Sequence, residues 1–131
     1  MPKTITTWKQ AQEFEADHEG NKIKIDGAVK KGHGPKALLL SALAGCSGID
    51  VVDILTKMRV EFSDLIIDVE AGQTEEHPKV FTAIHATYKI KTAAKNEDKV
   101  RKAIELSLEK YCGVSAMLKK NSAINYKLVI Q

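Results

Sequence analysis

The chain has 131 residues, 44% of them hydrophobic and 28% charged, with a formal net charge of +3; that length suits one buried core and falls short of two. The small charge excess is spread along the chain, and three Phe, three Tyr and one Trp are too few to stack bases across a broad surface, so nucleic-acid binding through Lys30, Lys31 and Lys36 is not expected. No eighteen consecutive apolar residues occur and Met1–Trp8 holds no apolar leader core, so the expectation is a cytoplasmic protein without a membrane segment.

Residues 4 to 27 predict two or three short antiparallel strands. Thr4 to Lys9 is rich in β-branched and aromatic residues, Glu19-Gly20-Asn21 supplies turn chemistry, and Lys22 to Asp26 alternates with Ile23 and Ile25 on one face. Asp26-Gly27 reads as a turn, and Lys30 to Gly34 as a flexible approach to the most apolar run in the chain, Gly34 to Met58. Pro35 suits a first helical position, where its missing N–H costs nothing. From Leu38 to Ala44 nearly every side chain is apolar, which predicts a central helix covered on most sides. Gly45 and Gly48 each cost roughly 1 kcal/mol in a helix relative to alanine, so a break near Cys46 is expected. Ser47 followed by Asp50 then reads as a capping box that opens a second helix.

Beyond Met58 the period changes. Val60 to Glu70 and Val80 to Lys91 predict a hairpin around the polar segment Gly72 to Pro78. In its return strand Val80, Thr82, Ile84, Ala86, Tyr88 and Ile90 share the apolar face, and His85 faces solvent. Asn96 with Glu97 and Asp98 marks a helix start. Val100, Ala103, Ile104, Ser107, Leu108 and Tyr111 form its apolar face, and Gly113 suits a left-handed helix end. Val114 to Lys120 predicts another short helix, and Ile124, Tyr126, Leu128 and Ile130 a closing strand. The fold class is therefore α+β, a single domain of residues 1–33 (meander), 34–58 (central helix pair), 59–91 (hairpin), 96–120 (helix pair) and 123–130 (strand). A helix this apolar exceeds what one small sheet covers, which predicts a homodimer.

Two cysteines stand 66 positions apart, Cys46 and Cys112, each expected just ahead of a helix. In a reducing compartment they are expected as free, catalytic or redox-cycling thiols rather than a structural staple. A thiol beside a helix N-terminus is acidified toward the nucleophilic thiolate. A free cysteine is also commonly a small buried hydrophobe, and these residues alone leave both readings open. The four histidines are scattered, with no Cys-His spacing, so no metal or cofactor is expected.

The blocks Gly34-Pro35-Lys36-Ala37-Leu38-Leu39-Leu40-Ser41-Ala42-Leu43-Ala44-Gly45-Cys46-Ser47-Gly48-Ile49-Asp50-Val51-Val52, Glu76-His77-Pro78-Lys79-Val80-Phe81 and Glu109-Lys110-Tyr111-Cys112-Gly113-Val114-Ser115-Ala116-Met117-Leu118 resemble the OsmC/Ohr family, the osmotically inducible and organic hydroperoxide resistance proteins. The resemblance implies antiparallel sheets on a long central helix in an interwoven homodimer with sites at the subunit interface. It implies Cys46 as the thiolate that attacks an organic hydroperoxide, Cys112 as the thiol that resolves the sulfenic acid into a disulfide, and a dithiol reductant, in the family often a lipoylated protein. Family peroxidases typically carry a glutamate directly after the helix-opening proline and an arginine in the N-terminal part. Here Lys36 follows Pro35 and no arginine precedes Arg59, which implies slow turnover. The alternative is a non-enzymatic dimer that binds a small ligand or senses redox state.

Overall fold

The computed structural model describes all residues 1–131, and its contacts divide the chain into two compact units, Met1–Leu40 and Ser41–Gln131. The first unit is the expected meander: β1 (Ile5–Gln10), β2 (Glu13–His18) and β3 (Asn21–Asp26), antiparallel in the order β1-β2-β3. Glu19 and Gly20, at φ +51° and +86°, form the β2-β3 turn, and glycine takes such values without a Cβ clash. The approach to the helix is tied down rather than flexible. The Asp26 carboxylate accepts the backbone N–H groups of Ala28 (2.8 Å), Lys31 (3.0 Å) and Lys30 (3.2 Å), and the Ala28 bond leads the effects that hold its pKa below the usual carboxylate value.

Helix α1 runs unbroken from Pro35 to Lys57, so the expected break at Gly45 to Gly48 does not form. Gly48 serves packing instead. A Cβ built on Gly48 would meet Ile67 Cδ1 at 3.1 Å, whereas one on Gly45 would meet nothing within 4 Å. Because no second helix starts at Ser47, Cys46 lies mid-helix on α1 rather than ahead of a new helix in its own segment. Nor is α1 covered on most sides: its buried residues are Leu43, Ser47, Val51 and Leu55, one stripe at four-residue steps.

In the second unit β4 (Phe62–Gln73), β5 (Phe81–Thr92) and β6 (Ile124–Ile130) form a sheet with β5 in the middle. Ile84, Ala86, Tyr88 and Ile90 are buried and His85 is exposed, as the alternation predicts. At the strand's start the phase slips at an irregularity between Ala71 and Gln73, so that Phe81 is buried while Val80 is 41% exposed. The sheet is not wholly antiparallel, because β6 pairs with β5 in parallel. The helical residues between the two strands give the chain the length a parallel crossover requires.

That crossover contains α2 (Glu97–Leu106), a π-helical turn (Ser107–Tyr111) and α3 (Gly113–Leu118). The wider turn shifts the buried phase: Tyr111, expected inside, is 55% exposed, and Cys112 at 3% takes the inward position. Gly113 is not a left-handed terminus but the first residue of α3.

Ile84 has no solvent exposure, so Ile84→Ala is expected to cost about 2–5 kcal/mol. His85→Ala, on the opposite face, should stay within about 0.5 kcal/mol. Urea denaturation of the two variants checks the phase of β5.

Candidate functional site

Ser47, Asp50, Tyr88 and Ser107 meet around the turn of α1 that begins at Cys46. Ser47 and Ser107 have no exposure and Tyr88 is 1% exposed. In an apolar interior such hydroxyls must be hydrogen-bonded or cost a substantial fraction of the protein's stability. Tyr88 Oη lies 2.6 Å from Ser47 Oγ, and Ser107 Oγ lies 2.9 Å from both Ser47 Oγ and Asp50 Oδ2. An ionised carboxylate only accepts, and each hydroxyl has one proton. If Ser107 donates to Asp50, Ser47 donates to Ser107 and Tyr88 donates to Ser47. The chain of hydroxyls thus has one direction, ending on the half-buried Asp50.

Sequence reasoning assigned Ser47 and Asp50 to a helix cap and Ser107 and Tyr88 to apolar faces. It missed their convergence. The one available signal was a serine and a tyrosine standing on faces that otherwise pack as core.

Cys112 is placed by what surrounds the π turn. Its N–H donates to the Ser107 carbonyl at 2.7 Å, five residues back. In a continuing α-helix that N–H would go to the Leu108 carbonyl. The Leu108 oxygen instead accepts the Ser115 hydroxyl (3.0 Å) and the Lys119 ammonium (2.6 Å), so no buried polar group is left without a partner. Cys112 also caps α3, its Sγ accepting the Ser115 N–H at 3.3 Å.

The structure brings the two sequence-predicted site residues together. Both cysteines are free, Cys46 half-buried and Cys112 buried. Burial pushes the Cys112 thiol up to about 11, and the hydrogen bond to the Cys46 side chain pushes in the same direction, against the Ser115 N–H. Cys112 therefore keeps its proton at neutral pH and presents an S–H toward Cys46. Cys46 is the less buried of the two. This asymmetry suits an accessible nucleophile and a sheltered resolving thiol. A cavity of about 600 Å³ that neither cysteine lines is bordered by Asp50, Asp53, Ile54, Lys57, Met58, Leu106 and Tyr111.

Burial likewise raises Tyr88 from 10.0 to about 12. Both groups hold their protons more tightly folded than unfolded. Stability from Cys112 is therefore full below about pH 9 and lost as pH rises through about 11, and that from Tyr88 is lost between about 10 and 12. The urea midpoint is expected to fall above pH 9. Tyr88→Phe should lower stability at neutral pH by about 1 kcal/mol yet flatten the decline above pH 10, as denaturation series at several pH values would show.

The OsmC-like protein family matches residues 27–127. Protein YhfA of Escherichia coli K12 is 36% identical over 113 residues, 84% of each chain. A protein of Aquifex aeolicus VF5, described as hypothetical, has the same fold with a TM-score of 0.84 at 30% identity, over 100% of this chain and 98% of that one. The organic hydroperoxide resistance protein OhrB of Bacillus subtilis superposes with a TM-score of 0.64 at 16% identity, over 98% and 97% of the two chains.

Proposed function

Because the chain belongs to the OsmC-like protein family, we propose that it is a thiol-dependent peroxidase that reduces organic hydroperoxides through Cys46 and Cys112. The observation that carries this reading is the pairing of a half-buried thiol, Cys46, with a buried one, Cys112, side chain to side chain. Likeness in fold to a protein named for organic hydroperoxide resistance agrees with it.

The Cys46 thiolate attacks the terminal oxygen of the hydroperoxide. The O–O bond breaks, sulfur gives up two electrons, and the departing alkoxide takes a proton to become the alcohol. Cys46 is left as a sulfenic acid. The Cys112 sulfur then attacks Cys46, and its proton leaves with the sulfenic oxygen as water, giving a disulfide. A dithiol of the lipoyl or dithiothreitol type returns the pair to two thiols by exchange, ending as its own disulfide. Lys36 holds the position after Pro35 and no arginine precedes Arg59. Without a glutamate–arginine pair beside the thiol, turnover is slow. That same lack supports a second reading, a non-enzymatic redox sensor or small-ligand binder, which predicts a single oxidation and no turnover with dithiol.

The protein works as a homodimer in the cytoplasm, where a thiol pair is kept reduced. The support for the dimer is on α1, where Ala42, Gly45, Ile49 and Val52 form one exposed stripe. With Leu65 and Ile67 the stripe borders an apolar groove of about 520 Å³.

Intact mass after one equivalent of cumene hydroperoxide is expected to show the loss of two hydrogens. Cys112→Ser should hold a dimedone-reactive sulfenic acid on Cys46, and Cys46→Ser should remain unmodified. Unreacted thiols in the wild-type chain would refute the peroxidase. Ile49→Glu, placing a charge where Ile49 is 65% exposed, should convert a dimer to a monomer in sedimentation velocity.

A further inference from the structure

Ser107 occupies the first position of the π turn and has no exposure. Its side chain and its backbone grip different parts of the thiol site. The hydroxyl lies 2.9 Å from Ser47 Oγ and 2.9 Å from Asp50 Oδ2, and 3.5 Å from the Ser47 carbonyl. It thereby holds α1 at the residue after Cys46 and again one turn on. The carbonyl accepts the Cys112 N–H at 2.7 Å. In an α-helix the residue five positions on is rotated away by about 140°. The π bond brings Cys112 back over the Ser107 face, the one turned toward α1.

We propose that Ser107 is the positioning residue of the thiol pair: by clamping α1 with its hydroxyl and Cys112 with its carbonyl, it sets the distance across which the Cys46–Cys112 disulfide closes. It touches neither sulfur. The proposal rests on the reading of these two cysteines as a redox couple, and it adds that the couple's effectiveness is built into a residue with no redox chemistry. Disulfide geometry tolerates little error, since Cα atoms beyond about 7 Å cannot be bridged without backbone movement. Loosening the clamp therefore acts on closure and leaves the first modification of Cys46 alone.

The test uses the full chain in glutathione redox buffers, where glutathione forms a mixed disulfide on Cys46 and Cys112 displaces it. The ratio of closed to mixed disulfide, read by intact mass after acid quench, gives the effective concentration of Cys112 at Cys46. Ser107→Ala is expected to lower that concentration by roughly tenfold, the worth of about one well-made buried hydrogen bond. Ser107→Thr, which keeps the hydroxyl, should restore most of it. In a Cys112→Ser background, the mixed disulfide should form to the same extent with and without Ser107→Ala. Asp50→Ala removes one end of the clamp at a half-exposed position and should lower the effective concentration by roughly threefold, which decides the matter should Ser107→Ala fail to fold. Closure within twofold of wild type in Ser107→Ala, or in Asp50→Ala where the former does not fold, overturns the proposal. So does a loss in Ser107→Ala and Ser107→Thr alike that follows only their loss of stability. Hydroperoxide is absent from this measurement. A chain that closes its disulfide in glutathione yet ignores hydroperoxide defeats the peroxidase and leaves the clamp standing, and a chain that turns over hydroperoxide while its Ser107→Ala variant closes the disulfide as wild type does defeats the clamp alone.

Discussion

The second unit depends on a small amount of polar matter in an apolar interior. Tyr88, Ser47, Ser107 and Asp50 come from β5, α1 and the start of the π turn, and with Ser107 donating to Asp50 their hydroxyls form one directed chain. Hydrophobic burial of Leu43, Val51, Leu55, Ile84 and Ile104 supplies the larger free energy, but it is non-directional and tolerates sliding of one element over another. Hydrogen bonds in a low-dielectric interior do not, because a hydroxyl moved by an ångström becomes an unpaired polar group. The network therefore fixes the register of α1 against the sheet and the crossover, and the two cysteines inherit that register.

Much of the fold was legible in the sequence, and what was missed has common physical causes. Period-two alternation located β3, β5 and β6, since a strand with one buried face must place apolar residues at every second position. Pro35 located the start of α1. Errors arose where a residue's meaning depends on a neighbour distant in sequence. Gly45 and Gly48 are locally unfavourable in a helix, yet Gly48 lies where Ile67 approaches, and tertiary packing overrides propensity. Ser47 has the local signature of a cap, but its hydroxyl is taken by a tyrosine 41 positions away. The π turn is invisible to a reading of 3.6-residue periodicity, and so the exchange of Tyr111 for Cys112 as the inward residue could not be anticipated. Of the site, both cysteines were legible and the serines and aspartate that hold them were not.

The proposed chemistry rests on an inequality between two identical functional groups. Cys112 is deep, its sulfur accepting the Ser115 N–H and hydrogen-bonded to Cys46; Cys46 is half-buried on α1. A pair of equally buried thiols would have no entry for an oxidant, and a pair of equally exposed ones would be open to reaction with other molecules at either sulfur. A half-buried thiol on a helix paired with a buried one at a helix junction suits the proposed order of events. The expected helix-dipole activation of Cys46 has no basis in a continuous α1, so the reactivity of its sulfur rests on its immediate neighbours.

The π turn amounts to one residue more than an α-helical path would need between Ser107 and Cys112. In this segment the count of residues is itself information, as a tooth added to a gear alters the angle of everything downstream. An α-helical path through the same five positions would leave Ser47 and Ser107 where they are, yet carry Cys112 about 140° away from the Ser107 face. Kinship judged by matching residue types would score such a chain as nearly the same protein. Judged by the path its backbone takes from Ser107 to Cys112, it would be one whose second sulfur no longer lies over α1.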